Sequence, residues 1–389
     1  MIVKPVLIRD STLREGLELP GVELSLAQKL KIVLMLEEMR VPEIEIGMPY
    51  GIRGCLPLAA AIKSRGLRIR TSALVLAHRA RCREDIDVAA ASSLDRVELL
   101  VPTSDTLLNL KDYYKISKGG LPGLLRDGLA HAKRRRVRVG LGFVDATRTD
   151  LAFLVRLMRE GQGAGADRVI LYDTTGVATP ELMTAMVSGA KKKCSLPIVV
   201  HCHNDFGLAT ANTLAGLAAG AAGADVVTNG LGDRGGNAAL EEVVLALEVL
   251  HGVRTGLRLE KVSALSGLVE KLSGIDKCRV KAVVGEFTFL HSPVQHIRNA
   301  ASGNRRGFEP FEPEAIGAAR KFAFTLPVDY TDALEPFCRK LGLAPGRRES
   351  AAILRALRAA SRERGVSEAE ILALIRKTVR SRPKSPSRG

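Results

Sequence analysis

The 389-residue chain has no tryptophan, and aromatic residues make up only 4% of it. Stacking platforms for bases are therefore scarce, which argues against nucleic-acid binding despite a formal net charge of +16. No apolar run approaches the ~20 residues needed to cross a bilayer. The opening MIVKPVLIRD lacks the charged and apolar regions of a secretory signal. The six cysteines (Cys55, Cys82, Cys194, Cys202, Cys278 and Cys338) include no CxxC pair. That pattern fits a reduced, cytoplasmic protein without a structural zinc. Neither a nucleic acid nor a membrane is expected as a partner.

The excess positive charge falls in runs: KRRR at 133–136, KKK at 191–193 and RKTVRSRPKSPSRG at the end. These read as solvated helix ends and a flexible basic tail over 381–389. Their summed field favours an anionic, phosphate-bearing substrate.

At 46% hydrophobic, the chain can bury one large core and a smaller appendage. Short apolar runs recur at 6–8, 44–46, 69–74, 97–101, 137–143, 169–172, 198–201 and 226–228. Helix-patterned stretches alternate with them, at 25–39, 83–91, 124–135, 150–162, 180–190, 208–222 and 238–250. Strand–helix units of this length predict a (β/α)8 TIM barrel over 1–252. Beyond it, 253–325 reads as a linker and subdomain contributing to the active site, with a helix at 259–272 and a short one at 313–322. Residues 326–380 read as a small helical subdomain.

The chemistry-bearing residues collect at strand ends, where barrels of this kind carry their sites. In PIVVHCHNDFGLATAN, an apolar strand ends in His201 and His203. Alternation puts both on one face about 6–7 Å apart along the strand, with Cys202 on the other. Two such imidazoles can converge on one metal ion. After the first strand comes RDSTLREG, which offers Asp10 or Glu15 as an anionic third ligand. Arg14 would be a fixed positive charge beside that metal, suited to an oxyanion or carboxylate. His78 follows the third strand, Asp145 and Arg148 the fifth, Asp173 and Thr174 the sixth. After the eighth comes NGLGDRGGN, whose glycines, Gly232 among them, let backbone approach a ligand. Asn237 there is expected to begin a helix whose amides could hold an anion.

The motifs DSTLREG, VPTSD, FVDATR, YDTTGVATP, HCHNDFGLATAN and GLGDRGGNAALEE together resemble the DRE-TIM metallolyases. More specifically they are similar to the branch of homocitrate, 2-isopropylmalate and citramalate synthases, over roughly residues 5–325. The resemblance implies a metal-dependent Claisen-type condensation of acetyl-CoA with a 2-oxo acid, by a homodimer. It implies Glu15, His201 and His203 as ligands of a divalent ion (zinc, magnesium or manganese), with Asn237 close by. Arg14 would polarise the ketone, Thr174 would hydrogen-bond the oxo-acid carboxylate, and His296 would transfer a proton. Gly285, Phe289 and His291 keep the register of the segment that carries His296.

The chain also departs from that pattern. Glu18 stands where the family has Gln, and Val144 replaces the Glu of an acidic pair, leaving Asp145. Phe287 replaces Asn, Val294-Gln295 replaces Gly-Ile, and Phe308 replaces Tyr. Glu18 and Asp145 accordingly join His296 as candidate acid–base groups. His78, Arg148, Gly232 and Asn237 join Thr174 as candidate substrate contacts.

Glu15 in the STLREG form and the stretch LELPGVELSLAQK resemble homocitrate synthases, the nitrogen-fixation type in particular. 2-Oxoglutarate is therefore the first expectation for the oxo acid. Against it, Gly140 and Gly142 occupy positions where lysine-pathway homocitrate synthases carry Arg and Ser. The alternatives are another 2-oxo-acid synthase, a hydroxymethylglutaryl-CoA-type lyase, or a non-catalytic or retuned paralogue. GLGDRGGN argues against the lyase, and the altered C-terminal segment motivates the paralogue.

Overall fold

The structure is a computed structural model that describes residues 2, 5–49, 55–78, 80–110, 114 and 116–380. The basic tail expected over 381–389 lies outside these residues. The chain forms two compact units, Met1–Asp276 and Lys277–Gly389.

In the first unit eight parallel strands close in sequence order into a TIM barrel. They are β1 (Leu7–Asp10), β2 (Glu43–Glu45), β3 (Arg70–Leu76), β4 (Arg96–Pro102), β5 (Val139–Val144), β6 (Arg168–Asp173), β7 (Ile198–Cys202) and β8 (Gly223–Val226). Pairing of Leu7 with Gly223 through Asp10 with Val226 closes the ring. Outside it, helices fall where the 3.6-residue periodicity places them. Ser25 caps Leu26–Glu38 in a reciprocal box with Gln28, accepting from its amide at 3.3 Å and donating its own at 2.8 Å. Asp150 caps Leu151–Ala164 by accepting from Phe153 N at 2.9 Å. No helix among the described residues is long and apolar enough to cross a membrane.

Two strands differ from the sequence expectation. β1 runs on through Arg9 and Asp10, because both side chains are fully buried rather than exposed at a strand end. β8 begins at Gly223 rather than at residue 226. The preceding helix stops at Ala218, and Gly220 turns the chain with φ +106°. A Cβ on Gly223 would stand 2.6 Å from Leu7 O, so the strand can pair there only without a side chain.

The barrel interior is divided between apolar and charged side chains. Leu74, Leu100, Ile170, Tyr172 and Val199 form an apolar cluster, with Leu7, Leu76 and Val144 against it. Arg9, Glu43, Glu45, Arg96, Glu98, Arg168 and Asp225 are all buried. Arg168 pairs with both Glu43 and Glu98. Gly140 makes room for this cluster: a Cβ there would stand 1.9 Å from Glu98 Oε2.

The second unit has its own core. Helices Val294–Ala301, Thr331–Lys340, Arg347–Ala360 and Glu368–Arg380 pack Ile297, Phe337, Ile353, Leu357, Ile371 and Ile375 around Phe322, Phe324 and Tyr330. A parallel pair, Leu290–His291 with Lys321–Phe322, threads it. The helix expected over 313–322 is only a 3-10 turn, Pro313–Ile316, because Gly317 leaves it in the left-handed conformation.

Candidate metal centre

β7 ends at Cys202, and its alternation turns His201 and His203 to the same side. Their Nε2 atoms are 3.3 Å apart. Glu15 opens a 3-10 turn after β1 and brings Oε2 to 3.6 Å from His201 Nε2 and Oε1 to 3.4 Å from His203 Nε2. Ligand atoms about 2.1 Å from a tetrahedral ion stand about 3.4 Å from one another. The separations here, 3.3–3.6 Å, are of that size, and two imidazoles with one carboxylate would leave further positions for water or substrate. The three residues are 1–6% exposed, and no other group of three or more His, Cys, Asp or Glu side chains among the described residues converges this way.

Of the two acidic candidates, Glu15 is the one at the histidines. Asp10 instead accepts from Thr12 N at 3.0 Å, Thr12 Oγ1 at 2.8 Å and Thr228 Oγ1 at 3.4 Å. It ties the loop after β1 to the loop after β8. Burial pushes its carboxyl up to about 7 against these hydrogen bonds.

The surroundings prepare both imidazoles as ligands. Asp225 Oδ2 is 3.1 Å from His201 Nδ1. Burial alone would raise the Asp225 carboxyl, but Arg9 and His201 outweigh it and hold the group below the usual carboxylate range. A carboxylate can only accept, so Nδ1 carries a proton and donates to it, which turns Nε2 toward Glu15 and His203. Burial, then His201, Arg234 and Arg14, push His203 down to about 2, which keeps it neutral. Arg234 Nη2 lies 3.3 Å from His203 Nδ1, with Thr174 O and Asp205 Oδ2 nearer at 2.7 and 3.0 Å.

Arg14 pairs with Glu15 and, through Nε, with Glu45. Its buried Nη2 has no hydrogen-bond partner. Buried donors are normally satisfied, so a free guanidinium N–H beside these converging ligand atoms can receive a ligand oxygen. Glu18 lies 3.5 Å from Arg14, half-exposed. Burial raises its carboxyl, Arg14 opposes that, and Glu15 and Glu45 add to it.

Asn237 does not begin a helix, which corrects the sequence expectation. It bridges to His203, and Ala239 to Val227, so the helix starts only at Leu240. Asn237 Nδ2 is 3.0 Å from His201 Nε2, and its Oδ1 is buried without a partner. A half-turn of that amide would offer an oxygen toward the histidines. Gly232, at φ +146°, makes this possible, since a Cβ would stand 1.9 Å from Asn237 Oδ1 and 3.2 Å from Glu15 Cγ.

Thr174 Oγ1 accepts from Asp145 N at 2.8 Å, leaving its hydroxyl proton free to donate. Both Asp145 carboxylate oxygens are engaged, by Arg148 at 2.8–3.0 Å and by Ser104. Asp145 and Arg148 thus partner one another in a loop that Asp145 enters at φ +63°. Asp173 fixes the next turn, accepting from Thr147 Oγ1 at 2.8 Å and Ala178 N at 3.2 Å. His78 follows β3, edge-on to Tyr114 with centroids 5.0 Å apart. His296 belongs to the second unit, where its ring stacks on Phe308 at 3.7 Å and lies 6.0 Å from His291. His291 contacts Glu309 at 2.7 Å, and Arg320 pairs with Glu309.

Sequence reasoning missed Arg9, Glu45, Asp225 and Tyr172. The Tyr172 and His201 ring centroids are 4.5 Å apart, and the buried Tyr172 hydroxyl has no partner among the described residues. The overlooked signal is alternation within the strands. EIE at 43–45 and RVE at 96–98 place two charges on one face of a strand buried on both sides.

A family model described as HMGL-like matches residues 5–269. The chain is 37% identical over 342 residues to the 2-isopropylmalate synthase of Methanocaldococcus jannaschii, covering 88% of this chain and 64% of that protein. It is 37% identical over 316 residues to the (R)-citramalate synthase of the same organism, covering 81% and 63%. It is 35% identical over 378 residues to the homocitrate synthase of Methanopyrus kandleri, covering 97% and 93%. The chain therefore spans a little under two thirds of the length of the first two. Among solved structures, the hydroxymethylglutaryl-CoA lyase of Pseudomonas aeruginosa superposes with a TM-score of 0.61 at 21% identity, covering 71% of this chain and 95% of that one. The carboxyl transferase domain of Rhizobium etli pyruvate carboxylase gives 0.56 at 15% identity, covering 99% and 63%. At such identities the likeness is one of fold.

Proposed function

The chain belongs to the HMGL-like family of DRE-TIM proteins, and on that footing we propose that it condenses acetyl-CoA with a 2-oxo acid at a divalent metal held by Glu15, His201 and His203. The observation that carries this reading is the convergence of ligand atoms from these three residues beside Arg14, whose buried Nη2 has no partner among the described residues. A bound divalent ion would act as a Lewis acid toward the oxo-acid carbonyl. Arg14 donates to the same oxygen as negative charge develops on it. Thr174 donates its hydroxyl proton to the oxo-acid carboxylate. A base, Glu18 or His296, removes a proton from the acetyl methyl group. The resulting carbanion adds to the ketone carbon, and water then cleaves the thioester to release coenzyme A and the hydroxy acid. A homodimer in the cytoplasm remains part of this proposal.

2-Oxoglutarate, giving homocitrate, is the first substrate to test. The STLREG form supports it, as does a match along nearly the whole homocitrate synthase of Methanopyrus kandleri. One observation favours a smaller, uncharged side chain, as in pyruvate or 2-oxoisovalerate. Gly142 supplies no polar side chain for a distal carboxylate, and a Cβ there would meet Leu100 Cδ2 at 2.9 Å and Tyr172 Cε2 at 3.0 Å, both in the apolar cluster inside the barrel.

The test is thiol release from acetyl-CoA with 2-oxoglutarate, 2-oxoisovalerate, pyruvate, oxaloacetate and phosphonopyruvate in turn. One of them should release thiol, and chelation should stop it. Oxo-acid binding without thiol release across the whole panel would reject the synthase and leave a retuned paralogue.

A further inference from the structure

We infer that Arg9 is a positioning residue for the metal centre: one guanidinium sealed inside the barrel orients His201 through Asp225 and Arg14 through Glu45. This rests on the metal reading of Glu15, His201 and His203. Arg9 is fully buried, so it touches neither solvent nor substrate. Its Nη1 donates to Asp225 Oδ2 at 2.6 Å, the same oxygen that faces His201 Nδ1 at 3.1 Å. Its Nη2 pairs with Glu45 Oε2, while the other oxygen of that carboxylate takes Arg14 Nε. Glu43 lies 3.3 Å from its Nε. Ser72 Oγ accepts from Nε at 3.2 Å and Nη2 at 3.0 Å, and donates to Ile44 O at 3.2 Å, which locks the fork against β2. A planar guanidinium with five fixed N–H groups holds these partners at set angles. Neighbours that fix a ligating histidine are typically worth 10–100-fold in metal affinity.

Charge gives a second reason for the coupling. Arg9, Arg14 and Arg168 form a continuous buried network with Glu15, Glu43, Glu45, Glu98 and Asp225. Two of these carboxylates, Glu15 and Asp225, lie against the histidines, so the charge of a bound cation would act directly on the network that Arg9 holds. Metal binding and the geometry around Arg9 are thus parts of the same electrostatic arrangement.

The experiment uses full-length wild type, Arg9→Lys and Ser72→Ala, with Co²⁺ alone as the probe. Affinity is read by titration calorimetry, and ligand geometry by visible absorption of the bound ion. A lysine ammonium keeps the charge but cannot span Asp225, Glu45 and Ser72 together. Arg9→Lys should therefore weaken Co²⁺ binding 10–100-fold and alter the spectrum. Ser72→Ala leaves every charge in place and should weaken binding about two- to tenfold, the worth of a hydrogen bond. If Arg9 only supports the barrel, both variants melt at lower temperature while affinity and spectrum stay at wild-type values, which overturns the inference. Should Arg9→Lys not fold, Ser72→Ala decides on the same two readouts. A wild type that binds no Co²⁺, or a His203→Ala variant that binds it equally well, overturns the metal centre itself and this inference with it.

Discussion

Arg9 and Arg14 end on opposite oxygens of the same carboxylate, Glu45, yet they serve different regions of the barrel. Around Arg9, in the interior, each of the three guanidinium nitrogens has a partner: Ser72, Asp225 and Glu45. Around Arg14, at the mouth, Nη2 has none, and the Tyr172 hydroxyl and Asn237 Oδ1 are likewise unsatisfied. A buried arginine whose hydrogen-bonding capacity is met holds structure together. One left with a free donor beside a cluster of ligand atoms is prepared for something that arrives later. The two regions thus differ in what remains unpaired rather than in how much charge they hold.

That contrast can be broken at several points. The largest effect belongs to the histidines. His203→Ala should reduce metal content from about one ion per chain to background by elemental analysis, and turnover should go with it. Retention of full metal would remove the site. Next is Arg14→Ala, which should fold, keep its metal and lose ~10²–10³ in turnover, as for other preorganised oxyanion donors. Lysine should rescue it poorly. Wild-type turnover in Arg14→Ala would show that the free N–H is incidental.

Arg9→Met should lower stability as well as metal affinity. It strands Glu45 and Asp225 without their buried cation and should cost about 3–5 kcal/mol of stability by denaturant titration. A midpoint equal to wild type would mean that the interior charges are not held by Arg9. The smallest effect is expected for Gly140→Ala, whose new methyl meets Glu98 Oε2 and Arg168 Cγ. Overpacking of this kind costs about 1–3 kcal/mol, and metal content should not change. A loss of metal from this variant would extend the centre's influence further into the interior than Arg9.

Much of the fold was legible in the chain because its signals are local. Apolar β-branched runs alternate with amphipathic helices, and Ser25 with Gln28 and Asp150 with Phe153 mark helix starts within four residues. The HxH pair was legible for the same reason: two residues of one strand share a face whatever else the chain does. The start of β8 was not, because Gly223 and Ala224 carry no strand signal of their own and are strands only by pairing with β1 and β7. Asn237 was misread as a helix start because its bridge to His203 lies 34 positions back along the chain.

The sequence alone therefore determined a barrel with two histidines and an acidic loop at its strand ends, since period and motif need no distant partner. Closing the ring decided the rest. Pairing β1 with β8 and β2 set Arg9 beside Asp225 and Glu43. It was the three-dimensional course of the loop after β1 that brought Glu15, and not Asp10, to the histidines. An arginine written next to an aspartate reads as a polar strand end until residues more than 200 positions away enclose it. Once enclosed it must find counter-charges, because an unpaired ion in that interior costs more than the fold could bear.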